Sequence, residues 1–293
     1  MSSPTTPCTS SASHPATKTG RQGSESAIRD WSMIQDGDRV LVGLSGGKDS
    51  LTMLFALMDL QRRAPINFTL AAATVDPMTP SFDPSPLRDY MASLGVPYYY
   101  LSDRIIDRAA CSLQGDSLCS FCSRFKRGLL YTCCRNKNFN KLALGQHLDD
   151  MAESMFMSCM HNGQVRTMKA AYREAKGDVD VIRPLAYVRE TQTRDFATAT
   201  KLPIINENCP ACFEQPKERE RVKKMLSKEE SLNPSLFTNL RRAMLPLMHG
   251  RCYEAFKTIR DEIESRPQRG YKGGSSKKGA GAGAGEAGVE AEE

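Results

Sequence analysis

The residues Ser45-Gly46-Gly47-Lys48-Asp49-Ser50 stand directly after an apolar β-like run, Arg39–Leu44 (RVLVGL), and open a helical pattern from Asp49 to Arg63. A strand that is apolar on both faces must be covered by helices on both sides, and a glycine loop leading from it into a helix fixes how the chain turns back. A second apolar run, Phe68–Val75 (FTLAAATV), completes strand, helix, strand, the unit of a parallel sheet. The alternation continues with a helix at Pro86–Leu94, a strand at Tyr98–Leu101, a helix at Ser123–Arg135, a strand at Lys141–Leu144 and a helix at Asp149–Met160. Val181–Leu185, a helix at Glu190–Thr200, an extended Leu202–Ile205 and helical stretches at Lys217–Ser227 and Pro234–His249 follow. The expected fold is α/β, a parallel doubly wound sheet with a helical C-terminal part.

The loop itself has the makings of a phosphate site. Adjacent glycines admit close approach of a ligand to the backbone, the N–H groups at a helix start attract an anion, and Lys48 adds a positive charge. It is not the GxxxxGK[ST] loop of ordinary NTPases, since Gly46-Gly47 precede the lysine directly. Gly-Gly between a strand and a helix can also be a plain turn, but Ser45 and Ser50 at its ends and Lys48-Asp49 between them favour the ligand.

Composition limits the rest. The chain has 293 residues, 40% of them hydrophobic, and 40 Lys+Arg against 34 Asp+Glu, a balance that permits a polyanionic partner without demanding one. No apolar run approaches the ~20 residues of a membrane span, and the start lacks the charged-then-apolar order of a secretory signal. The expectation is a cytoplasmic protein with no membrane partner. Organelle import is the alternative, because no acidic residue precedes Glu25. Residues 1–26 and 266–293 are poor in large apolar groups and are expected to be disordered tails, flanking a main domain at 27–250 and a short helical extension at 251–265.

The ten cysteines include two CxxC pairs, Cys119-Ser120-Phe121-Cys122 and Cys209-Pro210-Ala211-Cys212, both in what read as turn-like segments. Two intervening residues let both sulfurs reach one metal centre, as in zinc and iron–sulfur sites. Cys133, Cys134 and Cys159 fall in helical patterns, where they pack as small hydrophobes. Beside the first pair, Arg124, Lys126 and Arg127 would attract nucleic-acid phosphates, and Phe121 or Phe125 would offer a face to an unpaired base. An ordinary solvated helix face accounts for the same charges.

SGGKDS resembles the loop of the PP-loop ATP pyrophosphatase superfamily, which grips the pyrophosphate of ATP and leaves AMP on a substrate oxygen. GLSGGKDSLTML, APINFTL, CSFCSRFKRGLLY, LALGQHLDD, VIRPLAY and CPACFEQP, in this order, resemble the tRNA 2-thiocytidine synthetase (TtcA) family from about Asp30 to Gly250. The resemblance implies ATP-dependent transfer of sulfur to C2 of a cytidine in the tRNA anticodon loop, with Mg2+ and a [4Fe–4S] cluster. It implies Cys119, Cys122 and Cys212 as the catalytic and cluster-binding residues, with Cys209 as a fourth candidate. Three cysteine ligands would leave one iron open to a sulfur nucleophile, whereas four would close it. The implied partners are tRNA, a cysteine desulfurase or other sulfur donor, and a second copy of the chain in a homodimer.

Within the same resemblance, Ser45–Ser50, Asp76, His147, Asp149 and Asp150 bind the nucleotide and its Mg2+, and Arg183 approaches the tRNA or the adenylate. The two aspartates would also serve as helix caps, Asp76 as a turn former and Arg183 as half of a surface ion pair. Family members usually carry His where Gln146 stands, so a role for that His does not carry over. Two other readings share these features: a PP-loop tRNA 2-thiouridine synthetase, and a non-enzymatic tRNA-binding protein whose CxxC pairs form a structural zinc clip.

Overall fold

A computed structural model describes residues 15–80, 82–106, 108, 118–205 and 218–249; of residues 15–19 and 118–120 it gives the backbone. The elements are α1 (Pro15–Asp30), β1 (Arg39–Gly43), α2 (Lys48–Arg63), β2 (Thr69–Asp76), α3 (Ser85–Leu94), β3 (Tyr98–Ser102) and α4 (Leu118–Asn136). After these come β4 (Lys141–Ala143), α5 (Leu148–Asn162), β5 (Ala171–Arg173), β6 (Asp180–Ile182), α6 (Glu190–Thr200), α7 (Glu218–Leu232) and α8 (Leu236–Met248). The six strands are ordered β3-β2-β1-β4-β6-β5.

The parallel sheet is as expected through β3, β2, β1, β4 and β6, with Val40 level with Leu70 on one side of β1 and with Lys141 on the other. The sequence reading had no β5, which adds antiparallel to β6 at the edge. Three residues of mixed polarity on an edge carry no recognisable period, and their pairing with β6 alone makes them a strand.

Side chains alternate across the sheet with period two. Val40, Val42, Leu70, Ala72 and Ala143 belong to one core, packed under α2, α3, α5, α6, α7 and α8. Leu41, Ala71, Ala73, Val75 and Leu142 belong to a second, covered by α4 through Phe121, Leu130, Cys133 and Cys134. In α2, Leu51, Leu54 and Leu57 are fully buried at helical spacing, each contributing about 1.5–3 kcal/mol. Ala64 precedes Pro65 in extended backbone and ends that helix. Among the described residues no helix is long and apolar enough to cross a membrane.

Two expectations need correction. Residues 15–26, read as part of a tail, belong to α1, where Ser24 and Ala27 are buried. Small residues dock this helix closely, so its lack of large apolar groups was a poor measure of its capacity to order. The first CxxC pair lies in α4, which begins at Leu118 and not near Ser123. Residues 1–14 and 250–293, with the expected extension and second tail, lie outside the described residues.

Candidate active site

Ligands of parallel sheets bind beyond the carboxyl ends of the strands, and the predicted residues concentrate there. After β1, Leu44 N–H still donates to Ala73 O, and then the chain turns into α2. Ser50 Oγ fastens the turn, accepting from Ser45 N–H at 3.2 Å and donating to Gly47 O at 2.9 Å. Gly46 has φ +88°, and a Cβ there would stand 3.0 Å from Ile205 Cβ, so glycine is required on both counts. Gly47 is the N-cap of α2, and no side chain caps that helix. Its amino-terminal dipole and first N–H groups are left for an anion.

Lys48 lies over this opening. Its Nζ donates to Asp49 Oδ2 at 3.0 Å and to Glu190 Oε1 at 3.1 Å. Burial works against the ammonium, but the two carboxylates outweigh it and raise the Lys48 pKa, so the group stays charged. Burial likewise opposes ionisation of Glu190, and Lys223 and Lys48 overcome it, holding that carboxyl down at about 2. Asp49 Oδ1 accepts a short hydrogen bond from the buried Thr193 hydroxyl.

The second predicted group follows β4. His147 is the N-cap of α5: Asp150 N–H donates to its Nδ1 at 3.3 Å, and His147 N–H donates to Asp150 Oδ2 at 3.0 Å. With Nδ1 accepting in the cap, Nε2 is the ring nitrogen left to donate, and it faces Asp49 Oδ1 at 3.9 Å. Asp149 receives the Arg189 guanidinium and Glu190 N–H, and Arg189 continues to Glu230 while lying 3.4 Å above the Phe237 ring. Asp150 also pairs with Arg219 at 3.1 Å. Asp150 thus takes the capping role given as its alternative, whereas Asp149 is engaged instead by Arg189 and the start of α6. Among the described residues no group of three or more His, Cys, Asp or Glu is arranged to hold a metal ion.

At the end of β2, Asp76 accepts from Met78 N–H at 2.7 Å and from the Tyr100 hydroxyl, whose pKa that bond pushes up to about 12. The Met78 contact is the turn-forming role.

The first cysteine pair comes to the same edge through α4. Lys137 O, just past the end of α4, accepts from Arg39 at the start of β1, so the helix runs back along the sheet and its first turns stand at the carboxyl edge. Cys119 and Cys122 fall in the first turns of that helix, three positions apart. A helix amino end favours thiolates, and thiolates suit an iron–sulfur cluster. Cys209 and Cys212 lie outside the described residues; the last described residue before them, Ile205, donates its N–H to Gly46 O at 2.9 Å.

Other placements differ from expectation. Phe121 is buried, and Phe125 stacks on it at 4.6 Å with Arg108 over its ring, so neither presents a free face to a base. Arg124 is exposed, while Lys126 and Arg127 are half-buried. Arg183 is 4% exposed and is neither a surface ion pair nor open to a tRNA phosphate: it donates to Gln146 Oε1 at 2.9 Å and to Lys169 O at 2.6 Å. Cys133 and Cys134 are core residues as expected, burial pushing the Cys134 thiol up to about 12. Sequence reasoning missed Arg189, Glu190, Thr193 and Lys223. Their one signal was position, at or near a helix start, since what unites them is contact across long sequence separations.

Comparison with known proteins gives the family. Residues 21–230 match a family model described as a PP-loop domain. The tRNA-cytidine(32) 2-sulfurtransferase of Stenotrophomonas maltophilia is 40% identical over 235 residues, covering 79% of this chain and 76% of the relative. That of Geobacter sulfurreducens is 37% identical over 219 residues, covering 74% and 85%. The U34-tRNA thiolase NcsA from Methanococcus maripaludis, solved with its [4Fe-4S] cluster, shares the fold at TM-score 0.65 and 23% identity over 80% of this chain and 78% of that one. By the extent of these matches, the chain belongs to the tRNA-cytidine(32) 2-sulfurtransferase family of PP-loop proteins.

Proposed function

We propose that this protein is an ATP-dependent tRNA-cytidine sulfurtransferase that converts a cytidine of the tRNA anticodon loop to 2-thiocytidine. The observation that carries the chemistry is the uncapped start of α2 at Gly47 beneath the charged Lys48. The C2 oxygen of cytosine is a poor leaving group. It attacks the α-phosphorus of ATP, the bond to the β-phosphate oxygen breaks, and pyrophosphate leaves onto the Ser45–Ser50 loop, where N–H groups and Lys48 balance its charge. Sulfur then forms a bond to C2 and AMP departs with the original oxygen.

His147 Nε2–H, aimed toward the loop, and Asp76 at the end of β2 are assigned to the nucleotide. Mg2+ is commonly held by one or two carboxylates together with the substrate's phosphates. Asp149 and Asp150, at the start of α5, are the carboxylates assigned to it, each paired here with an arginine, Arg189 and Arg219. Cys119, Cys122 and Cys212 would hold a [4Fe–4S] cluster. When bound by three cysteines, such a cluster supplies an iron position open to a sulfur nucleophile. Arg124, Lys126 and Arg127 are assigned to tRNA phosphates, and a cysteine desulfurase or other sulfur donor is the implied partner.

The test is nucleoside mass spectrometry on tRNA from a bacterial strain lacking its own cytidine thiolase and expressing this chain, intact or as Cys212→Ala. 2-Thiocytidine with the intact chain alone is the expected result. Its absence with a soluble, iron-bearing intact chain, together with a 2-thiouridine product, would replace cytidine by uridine as the substrate.

A further inference from the structure

A buried arginine normally has a carboxylate against it, because an uncompensated charge taken out of water is costly. Arg183, at the carboxyl end of β6, has none among the described residues. Its partners are neutral: Gln146 Oε1, Lys169 O and Tyr172, whose ring lies at 5.6 Å; burial opposes its charge most, Tyr172 offsets part of that, and the nearby Arg127 adds to the opposition. These neutral partners fix the guanidinium in one place, and with it the carboxamide it meets.

The consequence falls on Gln146. An arginine only donates, so the carboxamide atom facing it must be the oxygen, and the amide nitrogen must point away. That nitrogen donates to no described residue. Gln146 is half-buried and lies between two parts of the nucleotide edge, for Gly145 packs so closely on α2 that a Cβ there would stand 3.2 Å from Ser50 N, and His147 follows as the cap of α5. A fixed, neutral donor of two hydrogen bonds therefore stands one strand away from the Ser45–Ser50 loop.

We propose that Gln146, oriented by Arg183, is the residue that selects cytosine over uracil, its amide N–H donating to N3 of the target base. Beside the C2 oxygen that is adenylated, cytosine presents at N3 a lone pair, whereas uracil presents an N–H. A locked amide donor pairs with the first and meets the second donor to donor, leaving both unsatisfied. Arg183 is a positioning residue: it prevents the carboxamide from turning over and offering its oxygen to uracil. The inference rests on the proposed cytidine thiolation.

The experiment supplies two tRNA substrates, differing only in C or U at the target position, to the intact chain and to Gln146→Leu, Gln146→Glu and Arg183→Gln in the strain described above. Thiolated nucleosides are quantified and folding is checked by thermal melting. The intact chain should thiolate C and leave U unmodified. Gln146→Leu should lower thiolation of C by on the order of 10²-fold, the effect of one lost hydrogen bond to a buried acceptor. Gln146→Glu, whose second oxygen accepts from uracil N3–H, should thiolate U in preference to C. Arg183→Gln should lower the C-to-U ratio, where a merely structural loss would lower both products alike. An intact chain that thiolates C, with folded Gln146 variants keeping its C-to-U ratio, overturns the assignment of Gln146 while leaving the proposed function standing. An intact chain that thiolates neither base overturns both.

Discussion

Helices α2 and α5 both start at the carboxyl edge of the sheet, after the neighbouring strands β1 and β4, and they finish their amino ends in opposite ways. His147 and Asp150 exchange hydrogen bonds at the start of α5, so two of its orphan groups are satisfied by the helix's own residues. At the start of α2, Gly47 contributes no side chain, and the Ser45 and Ser50 hydroxyls hold the loop together instead. The closed end gains stability from its cap. The open end forgoes it and leaves its first donors without a side-chain cap, beside a charged lysine. Sharing an edge and a dipole direction does not make two helix starts equivalent; they differ in which groups remain unsatisfied.

Substitutions separate the two ends. Lys48→Ala strips the open end of its charge and should lower kcat/KM for ATP by about 10²–10³-fold, read by pyrophosphate release, while loss of its pair with Glu190 costs no more than about 1 kcal/mol of stability. Comparable loss of stability instead would make α2 a structural end like α5.

Next in size is Glu153, on α5 just beyond the cap. Burial, and then the charge of Asp150, push its carboxyl up to about 7 against the opposing Arg219, Lys223 and His147. Its folded pKa lies above the unfolded one, so the folded state gains relative stability from the bound proton and loses it as pH rises from about 4.5 through 7. Glu153→Gln should therefore be more stable than the parent at pH 8, by about 1–3 kcal/mol, and equal to it at pH 4, by urea unfolding at the two pH values.

At the closed end itself, His147→Ala should cost about 1–2 kcal/mol by removing the cap. His147→Asn keeps a capping oxygen and removes Nε2, so it should retain that stability while weakening ATP use. If both variants lose stability equally, the cap is not what His147 provides.

The smallest effect belongs to Glu190, which ties α6 to Lys48 and Lys223. Its folded pKa is depressed, so its contribution is complete above the unfolded value near 4.5 and disappears as pH falls toward 2. Glu190→Gln should cost about 1 kcal/mol at pH 7, after allowance for the solvent that still reaches the group, and nothing near pH 2, by thermal melting across that range.

Much of this was legible from residues that act locally. RVLVGL and FTLAAATV read as strands because burial on both faces needs unbroken apolar runs, and they became β1 and β2 within a residue. SGGKDS read as an anion loop because its glycines, charge and helix start act within six residues. What failed depends on distant partners. α1 orders by close docking of small residues, and β5 exists only beside β6. The Asp149–Arg189–Glu230 and Gln146–Arg183 contacts bridge about 40 positions or more apart in most cases, beyond any periodic signal.

The direct measurement is of the products of ATP when tRNA is supplied with α- or γ-labelled nucleotide. An open α2 end that holds pyrophosphate predicts AMP and pyrophosphate in equal amounts, formed only with tRNA present and lost in Lys48→Ala. ADP and phosphate as the tRNA-dependent products would contradict it.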